Sequence, residues 1–155
     1  MKTRAYWHIH HDVLVEYTTA PIEERIWYIQ EHKPPEEVAV RLRLLKPVVG
    51  ELPKAFAAAA KALVAARKAL DAAEKAYRAA VKANPYAAEK ALTDAPKSYA
   101  DAVKANRAAV KAFAAAEKAL AATRLACADE IEKLHRNECP DCPWDGKTIF
   151  PKVKQ

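Results

Sequence analysis

From Lys54 to Glu138 the chain repeats one heptad. The units are KAFAAAA (54–60), KALVAAR (61–67), KALDAAE (68–74), KAYRAAV (75–81) and an eight-residue KANPYAAE (82–89). Then come KALTDAP (90–96), KSYADAV (97–103), KANRAAV (104–110), KAFAAAE (111–117) and KALAATR (118–124). Two drifted units, LACADEI (125–131) and EKLHRNE (132–138), close the series. The third slot carries the large residue, as at Phe56, Leu63, Leu70, Tyr77, Tyr99, Phe113 and Leu120. Taking that slot as a makes the sixth slot, mostly alanine, d, and the leading lysine f, opposite the a/d seam. Alanine is the best helix former, so propensity and pattern agree.

The break is equally legible. Asn84-Pro85 ends a first helix, because proline lacks a donor and disfavours helical backbone before it. Thr93 or Asp94, ahead of Pro96, can cap a second. Folding the array at this break pairs Ala66 with Phe113, Leu70 with Ala109, Tyr77 with Ala102 and Ala80 with Tyr99. Each layer then sets a large residue against a small one, which close packing favours. The expectation is a mainly α protein with a long antiparallel, coiled-coil-like, alanine-rich helical hairpin. Its helices span 53–83 and 95–136, roughly 45 and 60 Å at the α-helical rise. The hairpin, residues 53–124 with a turn near 84–95, projects from a small α+β head made of 1–52 and 125–155.

Composition sets the surroundings. The formal charge is +6, yet the lysines stand at f positions on a solvated face with Asp71, Glu74, Asp101 and Glu117 beside them. Asp71–Lys75 and Glu74–Arg78 have the spacing of stabilising helical pairs. A nucleic-acid partner is therefore not favoured. The N-terminus MKTRAYWHIHH has no apolar core of a secretory signal, and no long run of apolar residues lacks charge. Three cysteines without an export signal point to a reducing compartment, so the expectation is a soluble, cytoplasmic protein.

In the head, residues 4–17 (RAYWHIHHDVLVEY) alternate like one strand, which puts His8 and His10 on one face and His11 on the other. Helices are expected from Pro21 to near His32 and from Glu36 to before Pro47, with Arg41 and Arg43 as surface charges. Gly50 marks a bend before the repeats. Trp7, Trp27 and Trp144 are expected in the head core, and Thr148–Phe150 as a short strand beside 6–15.

One constellation carries chemistry. His135, Cys139 and Cys142 form H-x3-C-x2-C, in a segment CPDCPWDGK that looks like a zinc-ribbon knuckle. Two cysteines three apart on a turn aim both sulfurs at one ion, and a histidine one helical turn earlier reaches the same point. Tetrahedral zinc needs a fourth ligand, and His8 or His10 is the candidate. Mixed sulfur and nitrogen donors favour one structural zinc per chain over calcium, magnesium or manganese. Cys127, in an a slot two helical turns from His135, reads as a buried structural cysteine.

The two ends, WHIHHDVLVE with RLRLLKPVVGELP and HRNECPDCPWDGKTIFP, are similar to small uncharacterised proteins of bacteria and their phages. Those share the ends and vary in the alanine-rich heptads between. The resemblance covers about half of the chain and implies no activity. The residues themselves suggest a structural or protein-interaction role, not an enzyme: a zinc-clamped head with the hairpin as spacer or assembly surface. The partner would be another protein or a second copy in a homodimer. The alternatives are a nucleic-acid-binding zinc module using Arg41, Arg43, Arg136 and Lys147, or a small zinc hydrolase on the HIHHD segment with Asp12 or Glu16 as base.

Overall fold

The computed structural model describes residues 4–84 and 96–151. The expected turn residues after Asn84, and the capping Thr93 and Asp94, lie outside the described residues. The protein is mainly helical with a small antiparallel sheet. By its internal contacts the chain divides into two compact units, residues 1–57 with 127–155, and residues 58–126.

In the first unit, residues 4–17 form a hairpin rather than one strand. β1 (Arg4–Trp7) pairs antiparallel with β2 (Val15–Thr18), with Trp7 opposite Val15. The alternation fails at His8, whose φ of 54° lies in the left-handed region that non-glycine residues rarely enter. From there the chain loops, closed by His8 N–H to Leu14 O (3.1 Å) and Val13 N–H to His10 O (3.3 Å). Faces counted by twos past Trp7 therefore do not hold, and His8 and His10 do not share one.

Helix α1 (Ile22–His32) follows Pro21, and α2 (Pro35–Leu44) begins on the second proline of a Pro-Pro pair. Proline suits a first helical turn because its missing donor would be unpaired there anyway. Strand β3 (Lys46–Pro47) pairs with β1 on its other edge, giving the order β2-β1-β3. The third strand is thus Lys46–Pro47, and Thr148–Phe150 forms no strand; Ile149 N–H bonds His11 O at 2.9 Å and the Phe150 ring lies 6.2 Å from that of His11. Trp7, Val15, Ile29, Phe56, Ile131 and Ile149 are the buried centre of this unit.

Two further expectations fail here. Arg41 is buried, not a surface charge: its guanidinium pairs with Glu37 one turn back and stacks over the Phe150 ring, 5.0 Å away. Ring and carboxylate together replace the water that an exposed arginine would keep. Trp27 is 58% exposed, on the outer face of α1 against His32, while Ile29 takes the buried position.

In the second unit, α3 (Lys54–Ala83, beginning in the first unit) and α4 (Lys97–Ala126) pack together as a hairpin. Burial along both helices follows the heptad. From Leu63 to Ala80 and from Tyr99 to Thr123 the a and d residues are buried or half-buried, and the f lysines Lys61, Lys68, Lys75, Lys104, Lys111 and Lys118 are exposed. Tyr77 meets Tyr99 with ring centroids 6.2 Å apart, and the Arg67 guanidinium lies 5.6 Å from the Phe113 ring. Moving up α3 from 67 to 77 moves down α4 from 113 to 99, so the pair is antiparallel. Both contacts fall in or beside the layers expected to pair Ala66 with Phe113 and Tyr77 with Ala102.

The two flanks of the hairpin differ. Positions c and g are exposed throughout α3 and α4 and are alanine except at Ser98 and Asp101. The b and e flank carries the ion pairs, Arg67–Asp71 at 3.1 Å and Arg78–Glu74 at 3.6 Å. The second was expected; the partner of Asp71 is Arg67 instead of Lys75, because e and b positions share a side and f turns away from it.

The second long helix does not run unbroken to 136. It stops at Cys127 (φ −105°, ψ 10°), and α5 (Ala128–Glu138) starts there, with Ile131 N–H bonded to Cys127 O at 3.0 Å. No proline or glycine marks this break. It falls where the alanine heptad ends and the buried stripe changes to Cys127, Ile131 and His135.

Candidate metal centre

α5 brings the C-terminal motif into position. His135 lies in its last turn, and Cys139 caps it, donating its N–H to His135 O at 2.7 Å. Cys142 N–H then bonds Cys139 O at 3.1 Å, which closes a turn over the two cysteines. The left-handed backbone at His8 turns the third partner inward from the end of β1.

The result is convergence. His8 Nε2 lies 2.9 Å from His135 Nε2 and 3.2 Å from Cys142 Sγ. One donor atom from each residue falls within 4.8 Å of the others, so the three could hold a metal ion. Zinc bonds of about 2.0–2.1 Å to nitrogen and 2.3 Å to sulfur give tetrahedral edges of about 3.3 and 3.6 Å. The two edges at His8 are shorter than this by a few tenths of an ångström, and the third lies within 4.8 Å, so small side-chain rotations would admit the ion.

A nucleophilic cysteine dyad would look different. A Cys–His–orienter chain uses opposite ends of the base imidazole. Here both contacts fall on Nε2 of His8, and its buried Nδ1 has no hydrogen-bond partner. The electrostatics agree. Burial, reinforced by His135, pulls His8 from 6.5 down to about 4, and burial also lowers His135. Both rings favour the neutral form near pH 7, and one Nε2 donates to the other across the 2.9 Å contact; a metal ion at this point would take the place of that shared proton. Burial pushes the Cys142 thiol up, the reverse of an activated nucleophile, although a backbone bond from Trp144 and the charges of Arg43 and Lys46 oppose it. A bound cation would favour the thiolate.

The remaining expected ligands are placed as follows. Cys139 is buried beside the cluster, and burial raises its thiol as well, but its sulfur is not among the three converging donors. A cleft lined by Arg43, Leu44, Lys46, Cys139, Pro140 and Cys142 opens next to the sulfurs. His10 turns outward and bonds Glu16 at 2.6 Å, while His11 faces Asp12 at 3.6 Å; both histidines are exposed. His8 is therefore the N-terminal histidine brought to the motif, and His10 is not. Cys127 is buried at the head of α5, outside the cluster.

Sequence reasoning missed the groups around the donors. Trp7 packs edge-on to His135 with centroids 5.1 Å apart, and Trp144 lies 5.5 Å from the His8 ring. Glu138 accepts hydrogen bonds from Trp7 Nε1, Val49 N–H and Gly50 N–H. One signal could have flagged Glu138: a carboxylate in the last turn of a helix opposes the helix dipole, so it needs donors from elsewhere. No known protein family, curated protein or solved structure matches this chain.

Proposed function

We propose that this is a structural, protein-interaction protein whose first unit is clamped by one zinc ion. The supporting observation is the convergence of His8, His135 and Cys142, drawn from segments more than 120 residues apart in the chain, on one point. An ion there would tie the end of β1 to the C-terminal turn. Cys139, in the same turn as Cys142, is the fourth donor in this reading. Four protein ligands leave no position for water and make the site structural rather than hydrolytic.

The hairpin is the assembly surface, and its partner is a second copy of the chain. The exposed alanine flank at c and g lets helices approach closely, and alanine adds little side-chain entropy to lose. A face roughly 40 Å long and two helices wide offers on the order of 700 Å² per copy, near the size of a specific interface. Lysines rim that face, so salt should strengthen the association by screening their repulsion. Binding to a phosphate backbone would weaken with salt instead. That reading also loses Arg41, which is committed to Glu37 and Phe150.

Two measurements test the proposal. Metal analysis of protein purified without chelator should find one zinc per chain in the wild type and none in Cys142→Ser. Sedimentation at rising salt should show a dimer that Ala65→Glu with Ala112→Glu abolishes. Metal-free wild-type protein, or a monomer at every salt concentration, would overturn the corresponding half.

A further inference from the structure

We infer that Glu138 is the positioning residue of the metal centre, holding the segments that carry its ligands in register. This rests on the metal reading above. Glu138 Oε2 accepts from Trp7 Nε1 at 2.8 Å and from Val49 N–H at 3.1 Å, and Oε1 accepts from Gly50 N–H at 2.6 Å. Trp7 directly precedes His8. Glu138 itself stands three residues after His135 and one before Cys139. A single carboxylate thus fixes β1 at the residue before one ligand to the helical turn that carries His135 and leads into the turn with Cys142.

The surroundings are shaped for that bond. The Trp7 ring, held at its nitrogen by Glu138, rests edge-on against His135 and limits the rotation of its imidazole. Gly50 lets its own N–H reach the carboxylate: a Cβ there would come within 2.6 Å of Leu134 Cδ1 and 3.0 Å of Glu138 Oε1. Across the centre, His8 and His135 touch only through their Nε2 atoms and ring edges. Glu138, through Trp7, joins the segments that carry the two rings. Hydrogen-bonded groups outside the ligand shell that orient metal ligands typically change affinity by about 10–100-fold when removed.

The experiment uses the full chain and zinc itself, with affinity measured by competition against a chromophoric chelator and ligation read from the thiolate charge-transfer band of the cobalt form. Glu138→Gln keeps the side-chain shape but cannot accept all three bonds. It should retain one metal per chain and the same thiolate band, with zinc affinity about 10–100-fold weaker. Trp7→Phe removes one donor and should give a smaller loss in the same direction. Ile131→Val, in the same helix, controls for general destabilisation and should leave the affinity near that of the wild type. Zinc bound by Glu138→Gln and Trp7→Phe as tightly as by the wild type would overturn the inference and leave the metal reading standing. So would an equal loss in Ile131→Val, the mark of a merely structural tie. Absence of metal from the wild-type chain would instead defeat the metal reading and this inference with it. Should Glu138→Gln not fold, Trp7→Phe decides.

Discussion

The α3–α4 hairpin and the unit built from 1–57 and 127–155 solve stability in different ways. The hairpin spreads its contacts over successive heptads whose a and d residues are buried or half-buried, so no single position dominates. The other unit concentrates its order in a few places: Trp7 and Phe56 at almost zero exposure, the His8–His135–Cys142 cluster, and one carboxylate serving three donors. Redundancy makes the first legible and tolerant of change. Concentration makes the second sensitive to single substitutions and gathers donor atoms that could hold a metal ion.

That contrast can be broken or sharpened by measurements that report on each part separately. The largest effect should follow metal removal or Cys142→Ser if the proposed zinc is bound, since structural zinc contributes on the order of 10 kcal/mol in small domains. Near-ultraviolet signals from Trp7 and Trp144 should collapse while most of the far-ultraviolet helical signal persists; simultaneous loss of both would show that the hairpin depends on the ion. Trp7→Ala comes next, at about 3–5 kcal/mol for truncating a fully buried aromatic. Chemical denaturation should show the loss in the tryptophan-reported transition.

pH gives the third test. In the metal-free protein, folding holds His8 at about 4 against 6.5 when unfolded. Between those values the unfolded chain takes up a proton that the folded chain refuses. Stability is therefore complete above 6.5 and falls as the pH drops toward 4, by on the order of 3 kcal/mol. The lowered His135 acts in the same direction. Residues 58–126 contain no histidine, so hairpin helicity should stay flat across this window. A parallel decline in both signals would erase the distinction. Gly50→Ala forces a methyl against Leu134 and should cost about 1–3 kcal/mol, as overpacking does. Lys68→Ala, on the exposed f row, should stay within about 0.5 kcal/mol in thermal melts.

The same contrast decided what could be read in advance. Heptad spacing exposed the hairpin, its antiparallel layers and its lysine face, because a helix imposes one period on every residue it contains. Spacing also brought His135, Cys139 and Cys142 together as candidates, since a helical turn and a tight turn fix local distances. It gave no account of His8 against His10. That choice turned on one left-handed residue ending β1, and strand alternation carries no record of such a break. The alternating pattern hid a hairpin, and a lone arginine gave no sign of a distant phenylalanine to cover it. The break at Cys127 left no proline or glycine as a mark.

The sequence by itself determined the repeat, the long helical hairpin and its antiparallel pairing, consequences of short-range periodicity, and the C-terminal donor motif by its local spacing. Only the tertiary structure decided which histidine meets that motif, which sulfur converges with it, and that Glu138 gathers three N–H donors from two remote segments. Those outcomes depend on backbone turns and on contacts between residues about 90 to 130 positions apart, where no local period reaches.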